Sequence, residues 1–338
     1  ACLASFCLWT LWLALAILLV CQIYIASTRE LAVPDFLLRS LEERLAAAGG
    51  QAEFGRARFD PSGHVLLEQV RLRLPNLPEP VVTARSVFVT LDPWSLALGQ
   101  FEPRVLQVTG ANGYVAAMLS PTGRSEPLIQ DVTLTLIPNR QRLELPHFSG
   151  RLGSMPVTIR GAWAPAAQRD RPRSLPELLA QNYPAICRQL VALTDRLSVL
   201  DAPRLNLTLA ASATGAALAE VELLADGLRL PAPAAVTTGP IRATTQVPLT
   251  ASGTVPVALM LATDAVQVEA PAEFSRVRAL IHGRLDTAAR SFAFERIETA
   301  AATMQAAGGT VAPLALVASG AWPVVQAENG RQAIEIMQ

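Results

Sequence analysis

The chain has 338 residues, a hydrophobic fraction of 51%, and 28 basic residues balanced by 28 acidic ones. Every basic residue is arginine. Balanced charge argues against nucleic-acid binding, which needs clustered excess cations, and the high apolar content argues against disorder. The absence of lysine excludes Schiff-base and phosphate-loop lysine chemistry.

Residues 1–28 are predicted to form an uncleaved transmembrane anchor. No charged residue occurs before Arg29, and roughly 20 apolar residues cross a bilayer core of about 30 Å. The alternatives are a secretory signal, whose apolar region is shorter, at about 7–15 residues, and a buried core helix. The leucines that represent the anchor are Leu8, Leu11, Leu15, Leu18 and Leu19.

Residues 29–50 are predicted to form an amphipathic helix. Leu37, Leu41, Leu45 and Ala48 recur at three- and four-residue intervals and give one apolar stripe. Gly49 and Gly50 offer a C-terminal stop.

A first β-rich region is predicted over residues 51–165, where the hydrophobic period changes to two. Such alternation is typical of half-buried strands. Turn residues at short intervals, such as Asp60-Pro61-Ser62-Gly63, indicate an antiparallel meander. The inward-facing residues predicted here are Val70, Leu72, Leu74, Val87, Val89, Leu91, Val132, Leu134 and Leu136.

Residues 166–202 are predicted to be a linker and a helical insert, which Pro184 should divide. The insert's predicted stripe is Ile186, Leu190, Leu193 and Leu197, and Cys187 is expected to be a small buried hydrophobe. A second β-rich region follows over 203–338, with Leu205, Leu207 and Leu209 facing inward. Ile334 and Ile336 alternate close to the last residue, so we expect this region to be truncated.

Few residues suggest catalysis. His64, His147 and His282 are far apart, without a second histidine, a cysteine or a carboxylate at ligand spacing. No nucleophile elbow, phosphate loop or zinc-protease motif is present. We therefore expect no enzyme, no metal and no cofactor.

The apolar strand faces have two interpretations. They form the core of a closed sandwich, or they line an open, curved sheet that shelters acyl chains. Periodicity alone favours the sandwich, whereas a predicted anchor beside a lipid reservoir favours the groove.

Residues 33–163 resemble the AsmA-like proteins of bacterial envelopes, whose larger relatives include TamB and YhdP. The similar segments are residues 54–63, residues 65–72, the Trp-Ser-Leu and Gly element within 91–99, and residues 103–108. The resemblance implies a single-pass inner-membrane protein of a Gram-negative bacterium. Its periplasmic β-groove would bind or transfer phospholipid, with membrane lipids and other envelope proteins as partners. The chain is too short to bridge an envelope alone.

Two functions follow as hypotheses. The first is non-catalytic binding or transfer of phospholipid or a similar amphiphile along the sheet. The alternative is a structural or accessory subunit that scaffolds a larger membrane complex through its β-domain.

Overall fold

The alternating residues after position 50 form strands, as β-branched and aliphatic side chains favour on a pleated surface. The computed structural model describes residues 12–17, 19–20, 31–33, 38–39, 42–43, 46, 50–60, 63–74, 77–92, 103–120, 122–139, 142–163, 175–211, 217–230, 235–248, 254–268, 272–286, 291–306, 309–311 and 313–322. Their 21 strands all belong to one sheet. The predicted mainly β fold is therefore confirmed as one large open sheet.

The first half of the sheet is an antiparallel meander. Its edge holds β1 (Leu31–Ala32), paired with β3 (Arg56–Asp60), and β2 (Gln51–Glu53), paired with β4 (His64–Arg73). From β3 onward each strand pairs with the next along the chain, because short connections permit only antiparallel neighbours. The remaining strands are β5 (Pro80–Leu91), β6 (Pro103–Val115), β7 (Glu126–Pro138), β8 (Leu143–Leu152) and β9 (Met155–Trp163).

The helix α1 (Leu175–Leu197) leads from β9 towards β10 (Leu200–Asp201) and β11 (Arg204–Ala211). β9 and β11 pair in parallel, with Ile159 opposite Leu207. A parallel neighbour needs a connection that returns along the strand. The helical insert is thus a crossover, and the prediction of an antiparallel sheet is wrong at this pair.

In the second half of the sheet, seven paired strands continue to the far edge in the order β11, β12, β15, β16, β17, β18 and β21. The shorter strands β10, β13 and β14 lead to β16, and β19 and β20 follow on the other side of β17. The bounds are β12 (Ala217–Ala225), β13 (Gly227–Leu230), β14 (Val236–Thr238), β15 (Ile241–Pro248), β16 (Thr254–Val268), β17 (Ala272–Asp286), β18 (Ser291–Ala301), β19 (Thr303–Ala306), β20 (Gly309–Val311) and β21 (Leu314–Trp322).

A line of backbone irregularities, here called the bulge line, crosses the strands. Its members with positive φ are Gln69 (55°), Gly110 (62°), Asp131 (52°), Ala202 (46°) and Arg276 (48°). An inserted residue offsets the side-chain alternation beyond it. Val87 pairs with Leu67, which is three residues before Val70, so regular alternation would place Val70 on the opposite face. Because of the bulge, Val70 instead packs in the same cluster as Val87.

The helix α1 packs across one end of β4 to β6. Tyr183 (7% exposed) and Cys187 (4%) join Leu74, Val81 and Val115 in a buried cluster. Because Cys187 is buried and free, its predicted role as a small buried residue is confirmed.

Two predictions about α1 are wrong. Ile186 and Leu193 of the predicted stripe are exposed, because the packed stripe runs through Tyr183, Cys187 and Val191 instead. The helix also continues through Pro184. A proline removes one backbone hydrogen bond, and the packed residues on its C-terminal side hold the helix together.

The N-terminal segment is described in part. Residues 12–17 and 19–20 are helical and exposed, including Leu15 and Leu19, whereas Leu8, Leu11 and Leu18 lie outside the described residues. No helix among the described residues is both long and apolar enough to span a bilayer. In the segment predicted as an amphipathic helix, β1 comes first and residues 38–39, 42–43 and 46 are helical.

Candidate functional site

One lateral line of side chains, here called the apolar row, crosses the sheet from β4 to β21. Directly opposed residues of paired strands lie on the same face, and the pairs connect without interruption through both halves. At about 4.8 Å per strand, the row is about 58 Å long. Its members are Leu67, Val87, Val108, Leu134, Phe148, Ile159, Leu207, Val221, Thr245, Leu259, Ile281, Ile297 and Ala318.

Flanking rows widen this apolar face. On one side Val65, Val89, Leu106 and Leu136 are paired in sequence across β4 to β7. In the second half Leu205, Leu223, Ala243, Leu261 and Ala279 are paired across β11 to β17. The apolar row is therefore the centre of a band rather than an isolated line.

The apolar band is partly exposed. Leu207, Val221, Leu259 and Ile281 are half-buried, and no described side chain is less than 2% exposed. A second sheet packed at about 10 Å would bury such residues fully. The described strands thus leave the apolar band partly in contact with solvent.

The predicted lining residues fall into three groups. Val87, Leu134 and Leu207 belong to the apolar row, and Val89, Leu136, Leu205 and Leu209 flank it. Val70 and Val132 pack together beside the bulge line. Val132 (7% exposed) and Val89 (9%) are buried, so the prediction that these two line an open face is wrong.

The remaining predicted lining residues are covered. Leu72 and Leu74 pack in the cluster beneath α1, and Leu91 is only 2% exposed. They alternate like the others, but Leu72 and Leu74 pack with α1 and Leu91 is buried, so the prediction that these three residues line an open face is wrong.

Several members of the row were missed by the sequence reasoning. Val108, Phe148, Ile159, Val221, Leu259, Ile281 and Ile297 occupy the same face. Alternation around Ile159 and Leu259 could have found two of them. Phe148 lies in a segment interrupted by Pro146 and Gly150, which hides its period.

The opposite face carries polar side chains over part of its width. Thr158, Asn206, Glu222 and Thr244 form a row there, and the Asn206 Nδ2 donates to Glu222 Oε2 at 3.1 Å. Exposed ion pairs, such as Arg284–Glu295 at 2.6 Å, also lie on the strands. The row that contains Thr244 continues through Met260, which is 53% exposed, and Leu280. The sheet therefore has one aliphatic face and one face of mixed polarity.

The described histidines, cysteine and carboxylates are the candidate metal ligands. No three His, Cys, Asp or Glu among them could hold a metal ion. His64 lies 3.7 Å from the Asp60 carboxylate and stacks on Phe88, while His147 Nε2 is 3.1 Å from Ser149 Oγ. The Asp60–His64 proximity contradicts the expectation that no histidine has a carboxylate nearby. It arises because the turn between β3 and β4 brings their adjoining ends together.

The strongest electrostatic perturbation lies under α1. Burial raises the pKa of the Tyr183 phenol above its ordinary value, with a further contribution from Cys187. Burial likewise raises the pKa of the Cys187 thiol. The Tyr183 hydroxyl donates to Tyr114 O at 2.5 Å and accepts from Ala116 N at 3.0 Å. These bonds anchor the helix to the end of β6.

Comparisons with protein-family models, curated proteins and solved structures give no match. The AsmA-like resemblance therefore stays a prediction.

Proposed function

We propose that the apolar band binds the acyl chains of a phospholipid or similar amphiphile without catalysis. The observation that carries this proposal is the apolar row, which continues through both halves of the sheet, is mostly half-buried, and has Thr245 as its one polar member. Polar substrates gain nothing from such a surface, whereas burying an acyl CH₂ is favourable by about 0.8 kcal/mol.

The size of the band supports an extended ligand. The apolar row is about 58 Å long and about 7 Å wide, which gives about 400 Å² before the flanking rows are added. A typical monomer's largest apolar patch is about 300–600 Å² and is often functional. The half-buried side chains expose only part of the row's footprint, and the flanking rows add to the exposed apolar area.

We further propose that the sheet is curved around this band, as a half-open groove. Twist and coiling are the rule for large sheets, and the bulge line supplies the local bends that curvature needs. The headgroup would remain in water while inward valine and leucine side chains shelter the chains.

The proposed location is a bacterial inner membrane, with the sheet in the periplasm. The uncharged N-terminal segment and the AsmA-like segments within 33–163 support this. An anchor would hold the band beside a reservoir of its ligand.

A scaffolding role is the second candidate, and the far edge of the sheet favours it. Within the described chain, β21 pairs with β18 on one side. Leu316 and Val317 are each 61% exposed, so both faces of this strand are open. An edge of this kind can accept another strand from a partner protein.

Mass spectrometry of lipids retained after gentle purification tests the binding proposal. Leu207→Arg places a charge in the apolar row and should abolish retained lipid while the protein stays folded. Thr208→Arg is the matched control, because the neighbouring residue on the same strand points to the opposite face. It should retain lipid like the unmodified protein.

Circular dichroism and urea unfolding separate binding from folding. If Leu207→Arg unfolds the protein, the face is a closed core in which a buried charge is costly, and the groove is refuted. Equal lipid retention in both folded variants would also refute it. Loss of a co-purifying protein from a β21 variant, with lipid absent throughout, would favour the scaffold.

A further inference from the structure

In the second half of the sheet, the face opposite the apolar band carries an open pocket of about 480 Å³. Four arginines line it, Arg204, Arg242, Arg276 and Arg278, and it is here called the arginine pocket. It lies on the bulge line, where Arg276 has φ +48°.

The register explains why three of these arginines, Arg204, Arg242 and Arg278, lie on one line across the sheet. Arg204 pairs with Leu224, Leu224 with Arg242, Arg242 with Ala262, and Ala262 with Arg278. Arginines thus alternate with apolar residues along one lateral line, on every second strand and about 10 Å apart. Each precedes or follows a residue of the apolar band, so the pocket is on the opposite face.

Charge pairing divides the four guanidinium groups into two kinds. Arg204 lies 3.3 Å from Asp226 Oδ1, and Arg242 lies 2.7 Å from Glu222 Oε1. Among the described residues, Arg276 and Arg278 have no carboxylate within ion-pair distance. Two carboxylates line the pocket, Asp226 and Asp264. Asp226 pairs with Arg204, whereas Asp264 forms no ion pair among the described residues.

We propose that the arginine pocket binds a phosphate-bearing anion through Arg276 and Arg278. Guanidinium groups offer planar, bidentate donors that match phosphate oxygens. Arg204 and Arg242 are each compensated by a carboxylate, so Arg276 and Arg278 supply the uncompensated positive charge of the pocket, which Asp264 partly offsets. Phosphate could be presented by a soluble phosphomonoester or by a lipid headgroup, and both present the same oxygens to the pocket. The arginine pocket and the apolar band lie on opposite faces of the sheet, so an experiment can refute either proposal without refuting the other.

Isothermal titration of the full chain with inorganic phosphate at constant ionic strength tests the proposal. The protein should show saturable binding, and Arg276→Gln with Arg278→Gln should weaken it about tenfold or more, as expected for losing charge-assisted hydrogen bonds. Asp264→Asn should tighten it, because a carboxylate that repels the ligand is removed. Arg284→Gln is the matched control on β17, where its partner Glu295 lies outside the pocket.

Vesicles distinguish the two sources of phosphate. Pocket-dependent sedimentation with phosphatidylglycerol vesicles, competed by inorganic phosphate, would indicate a headgroup. Phosphate binding without pocket-dependent sedimentation would indicate a soluble ligand. Absence of saturable phosphate binding, or equal binding by the folded double variant, would overturn the proposal. Circular dichroism confirms the fold of each variant.

Discussion

Gly161 lies directly against the backbone of β11, where the two halves of the sheet meet. An added Cβ would lie 1.9 Å from Leu209 O and 2.7 Å from Leu209 C and N, and its φ is +131°. These atoms belong to the backbone of β11, so no side-chain rotation relieves the overlap. Gly161→Ala must therefore displace β11 from β9 or distort the backbone.

The expected cost follows from two contributions. A non-glycine residue at this φ costs about 1–3 kcal/mol. Displacing β11 enough to clear the overlap weakens the ladder bonds beside the Gly161–Leu209 pair, and two such bonds are worth about 1–3 kcal/mol together. The sum, about 2–6 kcal/mol, is a large part of a typical domain stability of about 5–15 kcal/mol.

Urea unfolding of three glycine variants measures these contributions separately. Gly123→Ala has positive φ (+67°) but nothing within 4 Å of the added Cβ, so it reports the backbone contribution. Gly113→Ala meets only Ile129 Cβ at 3.6 Å, an ordinary contact, and should change stability by less than about 1 kcal/mol. If Gly161→Ala costs no more than Gly123→Ala, the close approach to β11 does not hold the halves together and the reasoning fails.

Three further predictions concern α1 and the bulge line. Tyr183→Phe should lower the free energy of unfolding by about 1–3 kcal/mol in urea, because Ala116 N and Tyr114 O lose their buried partner; an unchanged midpoint would contradict this. The folded chain holds the Tyr183 proton more tightly than the unfolded chain, whose pKa is near 10.0, so stability should fall as pH rises through about 10. The chain contains no lysine, which would titrate in the same pH range. The slope of unfolding free energy against pH should therefore be smaller in Tyr183→Phe than in the unmodified protein. Equal slopes would exclude Tyr183 as the source of this pH dependence. Ala202→Gly should stabilise the protein by up to about 1 kcal/mol because φ is +46°, whereas Ala202→Val should destabilise it, and the opposite order of thermal midpoints would refute the strain.

Local patterns could be predicted from the sequence, and pairings could not. Period-two alternation depends only on neighbouring residues, which is why the strands containing Val87, Leu134 and Leu207 were found. The row that joins these three residues depends on register across β5 to β11. Register is a contact between segments far apart in sequence, and the bulge line alters it.

The buried face of the helix α1 could not be predicted from local patterns either. Two stripes with helical spacing coexist, one through Ile186 and Leu193 and the other through Tyr183 and Cys187. Hydrophobicity favours the first. The second is buried because the Tyr183 hydroxyl satisfies two backbone groups at the end of β6, a partnership that no local pattern reveals.

Dependence of affinity on acyl-chain length tests what the apolar row contributes to binding. A fully enclosed CH₂ adds about 0.8 kcal/mol, or about fourfold in affinity, and a chain lying on an open face buries about half of that surface. A series of lysophospholipids with one headgroup, below their micelle concentrations, should therefore bind about two- to fourfold more tightly per added CH₂. Leu207→Arg should flatten this dependence and Thr208→Arg should not. Binding that is independent of chain length and lost in Arg276→Gln with Arg278→Gln would instead assign the affinity to the arginine pocket, and the apolar row would have no part in it.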